Sequence, residues 1–168
     1  AYETTLGDWS SDVCSSDLCR MLTEDWDFTD FLMHSGTSTV VARGSMGDGR
    51  PGWPVDVGGD WRERAGLQHV RLSEGAISGS GFEVKGAHVV DVRRGAAAAR
   101  HPAAWSYAPT ATLADALSTA CLGLGWNEIR AACAELEGCG ALVARAQPAW
   151  MDRVRSPVRQ YGAFPAVK

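Results

Sequence analysis

AAWSYAPTATLADALSTACLGLG, residues 103–125, holds the sharpest change of period in the chain. Its first seven residues, AAWSYAP at 103–109, suit a strand that Pro109 stops. The remainder, 110–125, carries apolar side chains at helical spacing, with Thr110 or Thr112 available to cap the start and Gly125 available at the end. A strand running directly into a helix fixes how neighbouring segments must be read.

Downstream, Asn127 offers a cap for a second helix, NEIRAACAELEG, in which Ile129, Cys133 and Leu136 share a face and Gly138 ends the run. ALVARA at 141–146 returns to strand, and the tail from Gln147, with Pro148, Pro157 and Pro165, reads as an irregular wrap. Upstream the pattern is of short strands. DFLMHSGTSTVVAR at 30–43 reads as two strands around a Gly turn, GSMGDGRPGWP is a connection, and WPVDV at 53–57 and QHVRLSEG at 68–75 alternate. AISGSG at 76–81 is small and Gly-rich, and AHVVDV at 87–92 is a further strand. Strands, then two helices, then a strand predicts an α+β fold: a mostly antiparallel sheet covered by helices.

Residues 8–18, DWSSDVCSSDL, match letter for letter the translation of a common short-read sequencing adapter. Residues 1–18 are therefore expected to be a non-native leader, with the readable protein starting near Cys19. The chain has 16 basic and 20 acidic residues, but Glu3, Asp8, Asp12 and Asp17 lie in that leader. A balanced remainder without a basic run gives no footprint for nucleic acid or an anionic membrane. Four cysteines outside the leader, Cys19, Cys121, Cys133 and Cys139, match no zinc spacing and read as reduced packing residues.

The helix of 110–125 is apolar nearly all round, yet carries Asp115 and Thr119, four apart and neighbours on one side. A carboxylate there requires pairing, hydrogen bonding or a cation. Two arrangements fit. The oxygen pair suits Mg²⁺, a hard cation that takes one or two carboxylates and leaves other positions to water and phosphates. Alternatively, Asp115 favours the positive end of its helix and Thr119 bonds back to the carbonyl one turn earlier.

Four motifs in order bear on that choice: Ser80-Gly81; His88-Val89-Val90-Asp91-Val92-Arg93-Arg94-Gly95; Ala108-Pro109-Thr110; and Asp115-Ala116-Leu117-Ser118-Thr119-Ala120. Their sequence and separation resemble the C-terminal half of the FAD:protein FMN transferases, the ApbE family. The resemblance covers residues 28–147, with HSGTST and GRPGW fitting the preceding strands. It implies that residues 19–168 are the C-terminal portion of a single ApbE-like domain, truncated before its N-terminal half. It implies Mg²⁺ held by Asp115 and Thr119, FAD bound as substrate near Ser80, Gly81, His88 and Asp91, and His88 as base or phosphate-orienting group. The activity implied is transfer of FMN from FAD to a Thr hydroxyl of a target flavoprotein, with release of AMP. FAD pyrophosphate hydrolysis and non-catalytic flavin binding are the alternatives. Family members occur at the cell envelope, in the periplasm and in the cytoplasm, so the resemblance leaves compartment and oligomeric state open. The chain departs from the pattern at Val92, where the family has Pro, at Arg94, where it has Thr, and at Phe82, where Asp is usual.

Overall fold

A computed structural model describes residues 11–35, 38–58, 68–82, 89–98, 100–144 and 158–165. Ten strands, three α-helices and a π-helical segment (Met21–Asp25) are assigned among them: α1 (Ser11–Arg20), β1 (Phe31–Ser35), β2 (Thr39–Arg43), β3 (Trp53–Val57), β4 (Gln68–Leu72), β5 (Glu74–Gly81), β6 (Val90–Asp91), β7 (Ala96–Ala97), β8 (Ala103–Ala108), α2 (Ala111–Cys121), α3 (Trp126–Glu135), β9 (Gly140–Ala144) and β10 (Val158–Gly162). Six strands form one sheet in the order β1-β2-β5-β8-β9-β10, every pairing antiparallel. β3–β4 and β6–β7 are separate two-stranded ribbons. The expected α+β architecture is what the chain adopts.

Side chains alternate across the six-stranded sheet as its pleat requires. Val41, Ala76, Ala104, Ala108, Ala141 and Val143 point to the face that α2 and α3 cover, joining Ala111, Ala114, Leu117, Cys121, Leu122, Ile129 and Cys133 in one core. Ala42, Ile77 and Leu142 point the other way and pack with Val57, Val70 and Leu72 of the β3–β4 ribbon. The helix-covered side is built of small residues, so α2 lies close on β5 and β8. Three fully buried hydroxyls, Thr39, Ser78 and Ser106, occupy successive registers across β2, β5 and β8 on that same face. Ser106 Oγ donates to the Ala114 carbonyl, which stitches the sheet to the helix.

Three sequence expectations need correction, and AISGSG, in the sequence simply small and Gly-rich, finds its place. AISGSG belongs to β5, the strand paired with β2 and β8. Its glycines are there for room: a Cβ on Gly79 would lie 2.7 Å from the Trp105 ring, and one on Gly75, at φ +89°, 2.7 Å from the Ala108 carbonyl oxygen. The first helix stops at Cys121, four residues before Gly125, which instead is the N-cap of α3, in place of Asn127. The tail contains β10, which pairs along β9 from Val158↔Ala144 to Gly162↔Gly140. The stretch 87–92 is strand only at Val90–Asp91, its first two residues lying outside those described.

Thr110 caps α2 as expected, accepting from the Leu113 N–H at 3.3 Å. Ser11–Arg20, most of it within the stretch read as a leader, is helical and touches α2 where Ser16 and Thr112 hydroxyls meet at 3.1 Å. Cys121, Cys133 and Cys139 are buried free thiols. Burial and the neighbouring Cys133 push the Cys121 thiol up to about 12. Among the described residues, no helix is long and apolar enough to cross a membrane.

Candidate functional site

Ser78 and Ser80 alternate on β5, so both face α2. On the helix, Asp115 and Thr119 are one turn apart and therefore meet this same face. Ser78 Oγ donates to Asp115 Oδ1 at 3.1 Å and shares a 2.9 Å hydroxyl contact with Thr39. Ser80 Oγ lies 3.0 Å from Thr119 Oγ1 and 2.8 Å from Ser118 Oγ. Ser118, not Thr119, makes the bond back along the helix, its Oγ donating to the Asp115 carbonyl at 3.0 Å. Asp115 stands in the second turn of α2, beyond the strongest influence of the helix N-terminus.

Thr119 also opens onto a cleft of about 380 Å³. Its other walls are Val89–Arg93 with Ala98, and Ala120, Gly123 and Leu124 at the end of α2. Asp91, nearly buried, enters this cleft from a tight turn whose Arg94 and Gly95 N–H groups donate to the Asp91 carbonyl at 3.0 and 2.9 Å. The Arg93 guanidinium, bonded to Asp91 Oδ1 through Nε at 3.2 Å, holds the Asp91 carboxyl below its ordinary range. Beside the cleft, His101 is buried against Trp126, ring centroids 4.3 Å apart, with Nε2 3.0 Å from the Leu124 carbonyl oxygen. Burial lowers its pKa.

Of the residues singled out in the sequence, Ser80, Asp115 and Thr119 thus sit together, and Asp91 is joined to them through the cleft at Thr119. Gly81 follows on β5, opposite Ala103, where a Cβ would press to 3.3 Å on the Ala103 side chain. His88 lies outside the described residues. Val89, the residue after it, lines the cleft and accepts from the Ala98 N–H at 2.9 Å. Ser78, Thr39 and Ser118 escaped the sequence reading. The alternation of Ser78 and Ser80 was the available signal, since a two-residue period puts both hydroxyls on one face.

Among the described residues, the groups bonded to one another here are oxygen donors, the Asp115 carboxylate and the hydroxyls of Thr39, Ser78, Ser80, Ser118 and Thr119. Such a set fits Mg²⁺, which prefers hard ligands and needs few from protein when phosphates and water complete its shell. No group of three or more His, Cys, Asp and Glu side chains poised for a metal occurs among the described residues.

The fold and these contacts define the class: a sheet-and-helix module with an oxygen-lined site beside a cleft. Residues 14–143 match the ApbE family model, so the chain belongs to the ApbE family. Among solved structures it is similar to the ApbE protein of Thermotoga maritima, with 24% identity and a TM-score of 0.62 over 80% of this chain and 47% of that one. It is similar to the Pseudomonas stutzeri flavinyl transferase ApbE, 20% identical with a TM-score of 0.67 over 92% and 48% of the two chains. It also resembles the flavin transferase ApbE of Vibrio cholerae, at 15% identity and a TM-score of 0.64 over 87% and 46%. The chain spans less than half the length of each. No curated protein matches it.

Proposed function

We propose that this chain carries the metal-holding and part of the flavin-binding machinery of an Mg²⁺-dependent FAD:protein FMN transferase. The reaction moves FMN from FAD to a Thr hydroxyl of a target flavoprotein. The hydroxyl oxygen bonds to the FMN-side phosphorus, the bridging P–O bond breaks, and AMP leaves with the electron pair of that bond. The observation that carries the reading is Asp115 and Thr119 facing the β5 hydroxyls beside the cleft, in a chain of the ApbE family.

Asp115 and Thr119 would hold the ion. When bound, Mg²⁺ supplies neutralisation of charge on the pyrophosphate. Ser78 donates to Asp115 and so restrains its rotamer, while Ser80, itself bonded to Ser118, orients the Thr119 hydroxyl. Ser80, Gly81 and Asp91 contact the dinucleotide from the sheet and from the turn. An imidazole nitrogen of His88 takes the proton of the attacking hydroxyl, or donates to the phosphates and sets their direction.

Incubation with FAD, MgCl₂ and a candidate target tests this. AMP release together with flavin that stays on the target through denaturation is expected. AMP with no attached flavin would mean water is the acceptor and the protein is an FAD pyrophosphate hydrolase; bound FAD with no AMP would mean a flavin-binding protein. Asp115→Asn keeps an acceptor for Ser78 but not the charge, and should cut AMP release by about 100-fold with the circular dichroism spectrum unchanged. Full AMP release by that variant sinks the metal assignment.

A further inference from the structure

Asp91 reaches the cleft on a ribbon that is too small to hold itself in place. β6 and β7 have two residues each. The core holds the ribbon's base through Val89 and Ala98, but its outer part carries exposed Val90 and Val92, and a two-stranded ribbon adds little stability of its own in water. Backbone bonds close its turn at Asp91 and its base at Val89, but none of these fixes how the turn tilts over Thr119. Arg93 does. Its Nε bonds Asp91 Oδ1 at 3.2 Å, and its Nη1 bonds Glu128 Oε1 at 2.9 Å. The other carboxylate oxygen of Glu128 accepts the Gly125 N–H at 2.6 Å, at the start of α3.

Glu128 therefore bridges two elements, with one oxygen on the N-terminus of α3 and one on the guanidinium that grips Asp91. The Gly125 N–H, and next Arg93, hold the Glu128 carboxyl below its ordinary range. Arg93 is in turn pushed up by Asp91 and Glu128. Glu128 stands outside the cleft lining and reaches it through Arg93. Helix α3 is anchored by buried Ile129 and Cys133, and gives the bridge a rigid foot.

We propose that Glu128 is a positioning residue: through Arg93 it sets the tilt of the Asp91 turn over Thr119, and hence the shape in which the cleft receives a flavin dinucleotide. The inference rests on the flavin-transfer reading. Arg93 and Glu128 are about half exposed, and ion pairs in that setting add little to stability. The bridge acts on geometry, and its loss registers in binding rather than in folding.

Glu128→Gln tests this, because the amide oxygen can still accept from Gly125 while the charge facing Arg93 is lost. Amide exchange is read at Arg94 and Gly95, whose N–H groups close the turn, alongside the thermal midpoint and the FAD dissociation constant at saturating Mg²⁺. The expected result is an unchanged midpoint, with exchange at both amides and the dissociation constant each raised about tenfold. Glu128→Ala, which removes the helix cap as well, should lower the midpoint yet weaken FAD binding no further. Unaltered exchange in Glu128→Gln overturns the inference, as does unaltered FAD affinity in a variant whose turn has loosened. A loss of affinity confined to Glu128→Ala overturns it too, since the residue would then be only a cap. If the unsubstituted protein binds no FAD, the flavin reading itself fails and the cleft role falls with it; that outcome is told apart by an exchange difference that persists between the two proteins.

Discussion

The floor and the rim of the cleft are built on opposite physical plans. The floor, where α2 lies on β5, is tightly packed: Thr39, Ser78, Ser118 and Ala114 have no exposed surface, and hydroxyls gather beside the Asp115 carboxylate. At the rim, Val90 and Val92 are 60% and 89% exposed, and order comes from charges partly in water. Hydroxyl donors restrain a carboxylate without neutralising it, as Ser78 does for Asp115. Ion pairs at the rim contribute little stability, yet they specify direction. Under the flavin-transfer proposal, a site that holds a small ion and admits a large dinucleotide would gain from both: rigidity beneath and an adjustable wall above.

The largest test of this contrast is Leu122→Ala. Leu122 is fully buried at the end of α2, and its carbonyl accepts from the Arg100 N–H at 3.0 Å. Truncation should cost about 2–5 kcal/mol through lost burial and the cavity left behind. Urea unfolding would show it as a lower midpoint at constant slope. A loss below about 1 kcal/mol would mean the floor relaxes around the gap and is not the rigid half of the site.

Acid should separate the two regions by the pH at which each fails. His101, buried beside the floor, has a folded pKa below its ordinary 6.5, so the unfolded chain takes up the proton first. Its contribution is whole above pH 6.5 and declines as pH falls from there toward the folded value. Asp91 and Glu128 are also depressed, from 3.8 and 4.5, so their contribution is whole above those values and disappears only below them. Stability measured by urea from pH 7 downward should therefore bend first near 6.5, and His101→Gln should remove that bend. A bend that survives in His101→Gln would locate the titrating group elsewhere.

The α2 side of the floor and the Asp91 motif of the rim were legible in the sequence, whereas β5 and the Arg93–Glu128 bridge were not, because local pattern carries the first two and long-range pairing the others. Residues 103–121 announce β8 and α2 by a change of period at Pro109 and a Thr cap, and the i,i+4 spacing of Asp115 and Thr119 is realised as soon as the helix forms. β5 was opaque because Gly75, Gly79 and Gly81 lower its strand propensity, while the reason for two of them, the Trp105 and Tyr107 side chains of the adjacent strand, is visible only in three dimensions. Gly125 misled because glycine suits either end of a helix, and the Glu128 carboxylate decided in favour of a start. β10 was hidden in a Pro-bearing tail that pairs at the sheet edge. Arg93 and Glu128 stand 35 residues apart, and nothing in either local pattern points to the other.

The smallest expected effect is the most exacting for the contrast. Val92 is the position where the resemblance leads one to expect Pro, and it lines the cleft while remaining 89% exposed. A side chain with so little contact loses almost nothing on truncation, so Val92→Ala should change stability by less than about 0.5 kcal/mol. The turn would keep its Asp91 carbonyl bonds and its Arg93 bridge, which involve no Val92 side-chain atom. FAD affinity is the informative companion. If Val92→Ala lowers affinity at constant stability, the exposed methyls are part of the surface on which the ligand rests, and the rim is a binding wall. Should stability itself fall by 1 kcal/mol or more, Val92 must be covered in solution, and the rim would belong to the packed half of the contrast.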